Sequence, residues 1–191
     1  MRKVRRFAVG IVFLAGVVAA SVAPAAAIPI DLHGVNWRAA RLPGEVCGLH
    51  HAVRLHGGKV HVSSRLEIDA GWHRVVYGDL DGDGRDEAAL SVACSNGGGT
   101  ADSVLSYAVV VFHATMRSSV PIGILRPRHR PPHQLPTLLQ VQVDPGRVVG
   151  REAFYGSNDG TCCPSGRART VWTYRHGTFR LASSRITKRP G

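Results

Sequence analysis

Residues 170–181 read Thr-Val-Trp-Thr-Tyr-Arg-His-Gly-Thr-Phe-Arg-Leu and have the composition of two strands joined by a tight turn. Both flanks are rich in β-branched and aromatic residues, which fit a pleated, half-buried surface. Gly177 lies between them and tolerates the left-handed backbone conformation that short hairpin turns require. The segment therefore predicts an antiparallel hairpin near the end of the chain.

The same pattern occurs twice earlier in the chain. Residues 140–149 place Asp144-Pro145-Gly146 between two Val-rich runs. Residues 51–63 place Gly57-Gly58 between two runs of alternating polarity. Pro and Gly at these positions are typical of hairpin turns, so each segment predicts two paired strands.

Two further segments have the composition of strands, and the first of them that of a buried central strand. Residues 104–112 are rich in β-branched and aromatic residues, and residues 87–93 are mainly apolar. Only residues 32–41 suggest a helix, and a short one. We therefore predict a mainly β fold of antiparallel sheets built from hairpins, with at most one or two short helices.

The first 27 residues have the three parts of an export signal. Four basic residues precede the apolar run 7–18, and Ala25-Ala26-Ala27 gives the small-residue pattern for cleavage before Ile28. A retained membrane anchor is the alternative, although the apolar run is short for a bilayer span. We expect cleavage after Ala27 and a secreted mature protein without a membrane span.

Residues 28–185 have a length that suits one domain with its own core, followed by a flexible tail at residues 186–191. Removing the first 27 residues takes away four of 24 Lys+Arg and none of 13 Asp+Glu, so the formal charge falls from +11 to 20 − 13 = +7. This charge favours an anionic partner such as an envelope polymer. The Arg residues are spread along the sequence, so a solvated basic surface is the preferred interpretation and no nucleic-acid partner is expected.

Four cysteines in an exported chain indicate disulfides: Cys47, Cys94, Cys162 and Cys163. Three pairings are possible. A bond between the adjacent Cys162 and Cys163 requires Cα atoms closer than disulfides usually have. We therefore expect Cys47 and Cys94 each to join one of the adjacent pair, and a redox or metal site at Cys162-Cys163 is the alternative.

An acidic loop at residues 79–87 reads Asp-Leu-Asp-Gly-Asp-Gly-Arg-Asp-Glu and holds five carboxylates. Like charges at this density are costly unless a cation neutralises them, and oxygen ligands favour Ca²⁺. Asp79, Asp81 and Asp83 fit positions one, three and five of an EF-hand loop. Position twelve is Leu90 instead of Glu, so we do not expect a helix–loop–helix EF-hand.

This loop resembles the Asp-rich calcium loops of FG-GAP and VCBS-type repeat proteins over roughly residues 77–92. The resemblance implies one structural Ca²⁺ ion bound by side chains and one carbonyl oxygen, the latter from Arg85. It implies that Asp86 points elsewhere, to a nearby Arg. A polar turn without metal is the alternative. The implied side-chain ligands are Asp79, Asp81, Asp83 and Glu87.

Residues 152–174 carry a second resemblance. Their Cys-Cys-Pro-Ser-Gly segment is similar to that of actinobacterial exported proteins of the LppP/LprE lipoprotein type. This chain lacks the lipidation cysteine of that group, so the resemblance implies a soluble relative. It implies an address at the envelope and a fold, and no activity.

No catalytic motif was found among the histidines, serines and glycines. We therefore expect a secreted, non-enzymatic β domain that acts by binding at the cell envelope, with an anionic polymer or an envelope protein as partner. One alternative is a hydrolase whose Asp/Glu and His residues are distant in sequence. The other is an anionic-polymer binder that uses the exposed Pro-rich loop at residues 126–136, in particular residues 126–133.

Overall fold

A computed structural model describes residues 28–71, 75–97, 103–129 and 135–190. Within these ranges the secondary structure is strand and short 3₁₀ helix, which confirms the predicted mainly β class. The 3₁₀ helices are Leu32–Gly34, Trp37–Ala39 and Gly44–Cys47. The strands are β1 Arg41–Leu42, β2 Val53–Arg54, β3 Lys59–Ser63, β4 Leu66–Asp69, β5 Val76–Gly78, β6 Glu87–Ser95, β7 Val104–Ala114, β8 Ser119–Leu125, β9 Leu138–Asp144, β10 Arg147–Phe154, β11 Gly166–Arg175 and β12 Thr178–Lys188.

The larger sheet, called the first sheet below, has the order β3-β4-β6-β7-β8, with β5 also paired to β6. All its pairings are antiparallel. Its central strands β6 and β7 were both predicted as strands, and β7 as a buried central one; the structure confirms these predictions. They carry apolar side chains on both faces because each face of the sheet is covered.

The second sheet has the antiparallel order β12-β11-β10-β9. Its two hairpins are those predicted around Asp144-Pro145-Gly146 and Arg175-His176-Gly177. Gly146 has φ 72° and Gly177 has φ 74°. These left-handed conformations are the reason that glycine suits both turns.

The two faces of the first sheet bury different partners. On one face, the N-terminal segment packs Trp37, Leu42 and Leu55 against Leu90 and Phe112. Strands β1 and β2 pair with each other in this covering layer. On the other face, a second apolar cluster joins the first sheet to the inner face of the second sheet through Leu80, Ala89, Val109, Val111, Leu125, Leu139, Val143, Val148 and Trp172.

Three local predictions were wrong. Residues 51–63 do not form a strand hairpin: β2 pairs with β1, and only a bridge between His56 and Lys59 crosses the Gly57-Gly58 turn. Residues 32–41 form two 3₁₀ turns in place of one helix, because Val35 between them is extended. Strand β12 continues to Lys188 through pairing with Arg167, so the tail predicted from residue 186 begins later.

The predicted disulfide pairing was also wrong. Cys47 bonds Cys94, with Cα atoms 5.7 Å apart, and Cys162 bonds Cys163, with Cα atoms 3.8 Å apart. Cys47 ends a 3₁₀ helix that packs on β6, where Cys94 lies. The adjacent cysteines belong to the loop between β10 and β11 in the second sheet, so neither bond joins the first sheet to the second.

The loop between β10 and β11 is closed by Asp159. One carboxylate oxygen accepts hydrogen bonds from the backbone N–H groups of Gly156, at 2.7 Å, and Ser165, at 2.8 Å. These two donors lower the pKa of Asp159 below its usual range. The charged form of Asp159 therefore holds the ends of the segment that carries the Cys162–Cys163 bond.

The predicted export signal and residues 130–134 of the Pro-rich loop lie outside the described residues. None of the helices in the described ranges is both long and apolar enough to cross a lipid bilayer. In the described part of the Pro-rich loop, the Arg126 guanidinium donates to the carbonyl of Glu45. This contact ties the start of the loop to the N-terminal layer.

Candidate metal centre

The acidic loop connects β5 to β6 at one end of the first sheet. Leu80 anchors it, because its side chain is fully buried in the cluster between the two sheets. The Leu80 carbonyl accepts from the Gly146 N–H at 2.8 Å, which also ties the loop to the β9–β10 turn. The Asp residues on either side of Leu80 therefore lie on a fixed backbone.

The loop backbone winds around its own carboxylates. Asp79 accepts hydrogen bonds from the N–H groups of Gly82, at 2.8 Å, and Gly84, at 3.1 Å. Gly82 and Gly84 have φ of 82° and 84°, a conformation that favours glycine. Asp81 accepts from the Asp83 N–H at 3.2 Å. These turns direct the carboxylates of Asp79, Asp81 and Asp83 to one side, where their oxygens lie within 4.8 Å of one another.

The structure separates Glu87 from Asp79 and Asp83. Glu87 is 1% exposed, and one of its oxygens accepts from the Leu80 N–H at 2.8 Å. Its other oxygen lies 2.8 Å from Nδ1 of His113. Together with Asp81, these two residues form a second group whose ligand atoms lie within 4.8 Å of one another.

Burial raises the pKa of Glu87, and the hydrogen bonds from His113 and from the Leu80 amide act in the opposite direction. His113 belongs to no motif in the sequence, and sequence analysis did not identify it. The pairing of Ala88 with Phe112 brings Glu87 and His113 together at the ends of β6 and β7. Only a correct strand register would have revealed this pair.

Arg85 contributes its N–H to the Asp83 carboxylate at 2.9 Å, and its carbonyl as a metal ligand stays a prediction. Asp86 points away from the loop, as expected, but its partner is a histidine instead of an arginine. Its carboxylate lies 2.9 Å from Nε2 of His33, whose ring stacks on Tyr77 with centroids 3.9 Å apart. The N-terminal segment therefore contacts the outer end of the acidic loop.

Glu152 on β10 is a second buried carboxylate, and its hydrogen-bond partners give it a structural role. It accepts from the backbone N–H groups of Arg128, at 3.1 Å, and His129, at 2.8 Å. The Thr170 hydroxyl donates to it, and Nδ1 of His129 lies 3.1 Å away. Glu152 thus fixes the start of the Pro-rich loop against the second sheet. The His129 side chain packs against this carboxylate and is 20% exposed.

The chemistry of the two overlapping groups differs. Asp79, Asp81 and Asp83 offer oxygen atoms alone, which suit a hard cation such as Ca²⁺ or Mg²⁺. Asp81, Glu87 and His113 offer mixed oxygen and nitrogen ligands, which suit Zn²⁺ or Mn²⁺. Either group has the ligand number to hold a metal ion.

Comparison of the chain with protein-family models, curated proteins and solved structures finds no match. The resemblances at the acidic loop and at Cys162-Cys163 therefore stay predictions.

Proposed function

We propose that this protein is an exported, non-enzymatic β domain that acts by binding at the cell envelope and is stabilised by one Ca²⁺ ion in the acidic loop. The observation that supports the ion is the convergence of Asp79, Asp81 and Asp83 on one side of a glycine-shaped turn. Three carboxylates at this distance repel one another, and a divalent cation relieves the repulsion.

Calcium fits better than a transition metal for two reasons. Asp79 and Asp83 belong only to the oxygen group, and both are held in place by backbone N–H groups. In the mixed group, Glu87 and His113 already satisfy each other at 2.8 Å, so a metal would have to break that contact. Glu87 then accepts from the Leu80 N–H and contacts His113, and is not a direct ligand of the ion.

The proposed ion makes stability depend on calcium. Extracellular modules bind Ca²⁺ with Kd of roughly 10⁻⁴–10⁻³ M. At tenfold excess over Kd, binding adds about 1.4 kcal/mol to the free energy of unfolding. For a domain of this size, each kcal/mol raises Tm by about 2–4 °C, so we expect an increase of about 3–6 °C in millimolar Ca²⁺.

Two variants locate the ion. Asp83→Asn keeps the acceptor for the Arg85 N–H but removes one charge, so it should abolish the calcium response and leave the calcium-free protein no less stable. His113→Gln should retain the response. Asp144→Asn, at the end of β9, is the matched acidic control and should respond as the original protein does. A response lost in His113→Gln and kept in Asp83→Asn would assign the ion to the mixed group.

The envelope role has a separate test. The secreted chain should co-sediment with isolated actinobacterial envelopes, and Asp83→Asn should do so at temperatures well below its Tm. A chain that stays in the supernatant under all salt conditions would contradict this role while leaving the calcium site untouched.

Hydrolysis is a second candidate, and it rests on the Asp81, Glu87 and His113 group. A cleft of about 600 Å³ opens next to Asp81 and is lined by Tyr174 and His176. Burial raises the pKa of Tyr174, and the charges of Asp81 and Glu87 act in the same direction. Turnover of phosphoester or glycoside substrates that is lost in His113→Ala would establish this candidate in place of the non-enzymatic one.

A further inference from the structure

The second sheet has an inner and an outer face. Leu139, Val143, Val148 and Trp172 point inward, since they pack in the cluster shared with the first sheet. Side chains alternate along a strand, and cross-strand partners share a face. The residues between the inward ones on β9, β10 and β11, and their partners on β12, therefore form the outer face.

The strand register places several cationic side chains side by side on this outer face. Arg151 on β10 pairs with Arg169 on β11, which pairs with Arg185 on β12. A second row contains Arg167 and Lys188, and a third contains Arg147 and Arg180. We call these residues the basic face: Arg147, Arg151, Arg167, Arg169, Arg180, Arg185 and Lys188. Sequence analysis treated them as scattered, because their spacing along the chain does not show which strands are neighbours.

The basic face has few internal counter-charges. Asp144 is the one acidic residue on the outward positions of these strands, and it lies 3.1 Å from Nε of Arg147. The Arg167 guanidinium donates to the carbonyls of Pro164 and Gly166. Within the described residues, the other five cations of the basic face have no acidic partner.

Like charges directly opposite one another on neighbouring strands are destabilising. The row of Arg151, Arg169 and Arg185 places three such charges side by side. Solubility alone needs no such alignment, because dispersed charges serve it equally well. The row is favourable when an external anion lies across it, since guanidinium groups bind phosphate and carboxylate oxygens in pairs.

A cleft of about 500 Å³ lies at one end of the basic face. On the sheet side it is lined by Arg151 and Arg167, and also by Leu138, Gln140, Ala153 and Glu152, whose side chain is buried. On the loop side it is lined by Pro164 and the Cys162–Cys163 bond. Arg151 and Arg167 occupy neighbouring rows, so both reach into the same cleft. It provides a concave position for one anionic group at the end of an otherwise open surface.

We propose that the basic face binds a linear polyanion without bases, with one of its anionic groups in the cleft between Arg151 and Arg167. This inference rests on the proposed binding function and names the class of its partner. The face is longer than one anion: Arg147 and Arg151 are separated by about 13 Å along β10, and the rows cross three strands. Repeated charges therefore fit it better than a single small ligand.

The residues between the cations indicate which class of polyanion the basic face binds. Single-stranded nucleic acids bind to grooves in which bases stack on aromatic side chains. The outward positions between the cations hold Val149, Val171, Thr173 and Ser183, which offer no such platform. An anionic membrane would be expected to bind exposed apolar side chains as well, but Leu181 and Ile186 pair with inward residues and belong to the opposite face of β12.

Binding of the purified protein to long-chain inorganic polyphosphate, followed by fluorescence anisotropy across a salt series, tests this inference. Affinity should fall linearly on a plot of log K against log salt, with a slope of about −0.7 for each contacted charge. A parallel series with poly-glutamate identifies the anion: tighter binding of polyphosphate assigns phosphate, and tighter binding of poly-glutamate assigns carboxylate.

A triple variant removes the central row: Arg151→Gln, Arg169→Gln and Arg185→Gln. The matched control removes the same charge from exposed positions outside the second sheet: Arg41→Gln, Arg65→Gln and Arg117→Gln. The row variant should lower the affinity about tenfold and make the salt slope shallower by about 2, while the control changes little. The single Arg151→Gln variant should change the slope by about 0.7.

Three results would overturn the inference. They are absence of binding to both polyanions at low salt, equal losses in the row variant and its control, and tighter binding to oligo-dT or to anionic vesicles than to either polymer. If the calcium response is retained and any of these three results is observed, the polyanion inference alone is refuted. Loss of the calcium response with polyanion binding intact would refute the calcium site alone.

Discussion

Replacing Glu152 by alanine should release the start of the Pro-rich loop from the second sheet. The substitution leaves the N–H groups of Arg128 and His129 and the Thr170 hydroxyl without their acceptor. Each unsatisfied buried donor costs about 1–3 kcal/mol, and these donors are partly shielded from water. We expect a loss of about 3 kcal/mol, which lowers Tm by about 6–12 °C for a domain of this size.

Limited trypsin digestion reports on the loop itself. Arg126 and Arg130 both precede proline, which blocks cleavage, so Arg128–His129 is the susceptible bond at the start of the Pro-rich loop. Since Glu152 accepts from both N–H groups at this bond, Glu152→Ala should accelerate cleavage after Arg128 well below Tm. Mass spectrometry of the fragments would identify this position.

Two controls separate loop release from general destabilisation. Glu152→Gln keeps an acceptor oxygen and should show a smaller loss. Glu67→Ala removes a carboxylate whose partners Lys59 and His61 are exposed, so it should cost at most about 1 kcal/mol and leave cleavage after Arg128 unchanged. Equal cleavage rates after Arg128 in the original protein and in Glu152→Ala would refute the reasoning.

Two further predictions concern the disulfides and acid stability. The Cys47–Cys94 bond closes a loop with sequence separation 47, so changing both residues to alanine should cost about 4 kcal/mol in urea unfolding. The Cys162–Cys163 bond has sequence separation 1, so the same change there should cost under about 1 kcal/mol, and equal losses would contradict this account. The pKa of Asp159 is lowered in the folded state. Its contribution to the free energy of unfolding is therefore present above the unfolded-state pKa of about 4, and it is lost as pH falls through the lower folded-state pKa. The free energy of unfolding of Asp159→Asn should therefore decline less steeply with acid, and an identical decline would be evidence against the role of Asp159.

The two hairpins of the second sheet could be predicted from local sequence, because each depends on the residues of its turn. Gly146 and Gly177 mark turns that the structure confirms, and the strands beside them follow from their composition. The prediction of a hairpin around Gly57-Gly58 was wrong, because the strands on either side of this turn pair with other strands. β2 pairs with β1 in the covering layer, and β3 pairs with β4.

The candidate sites depend on contacts that local sequence does not encode. The acidic loop was visible because its carboxylates lie within nine residues. His113 and the basic face were not visible, since both arise from the register of strands that are distant in sequence. The disulfides were mispaired because cysteine counting does not show that Cys47 lies over β6 while Cys162 lies in the second sheet.

Amide NMR during a Ca²⁺ titration tests the central claim most directly. Gly82 and Gly84 donate to Asp79 inside the acidic loop, so their N–H resonances report on its carboxylates. We predict saturable shifts of these two resonances with one ion per chain, a Kd of roughly 10⁻⁴–10⁻³ M, and no such shifts in Asp83→Asn. Unmoved Gly82 and Gly84 resonances in millimolar Ca²⁺, or identical shifts in Asp83→Asn, would contradict the account.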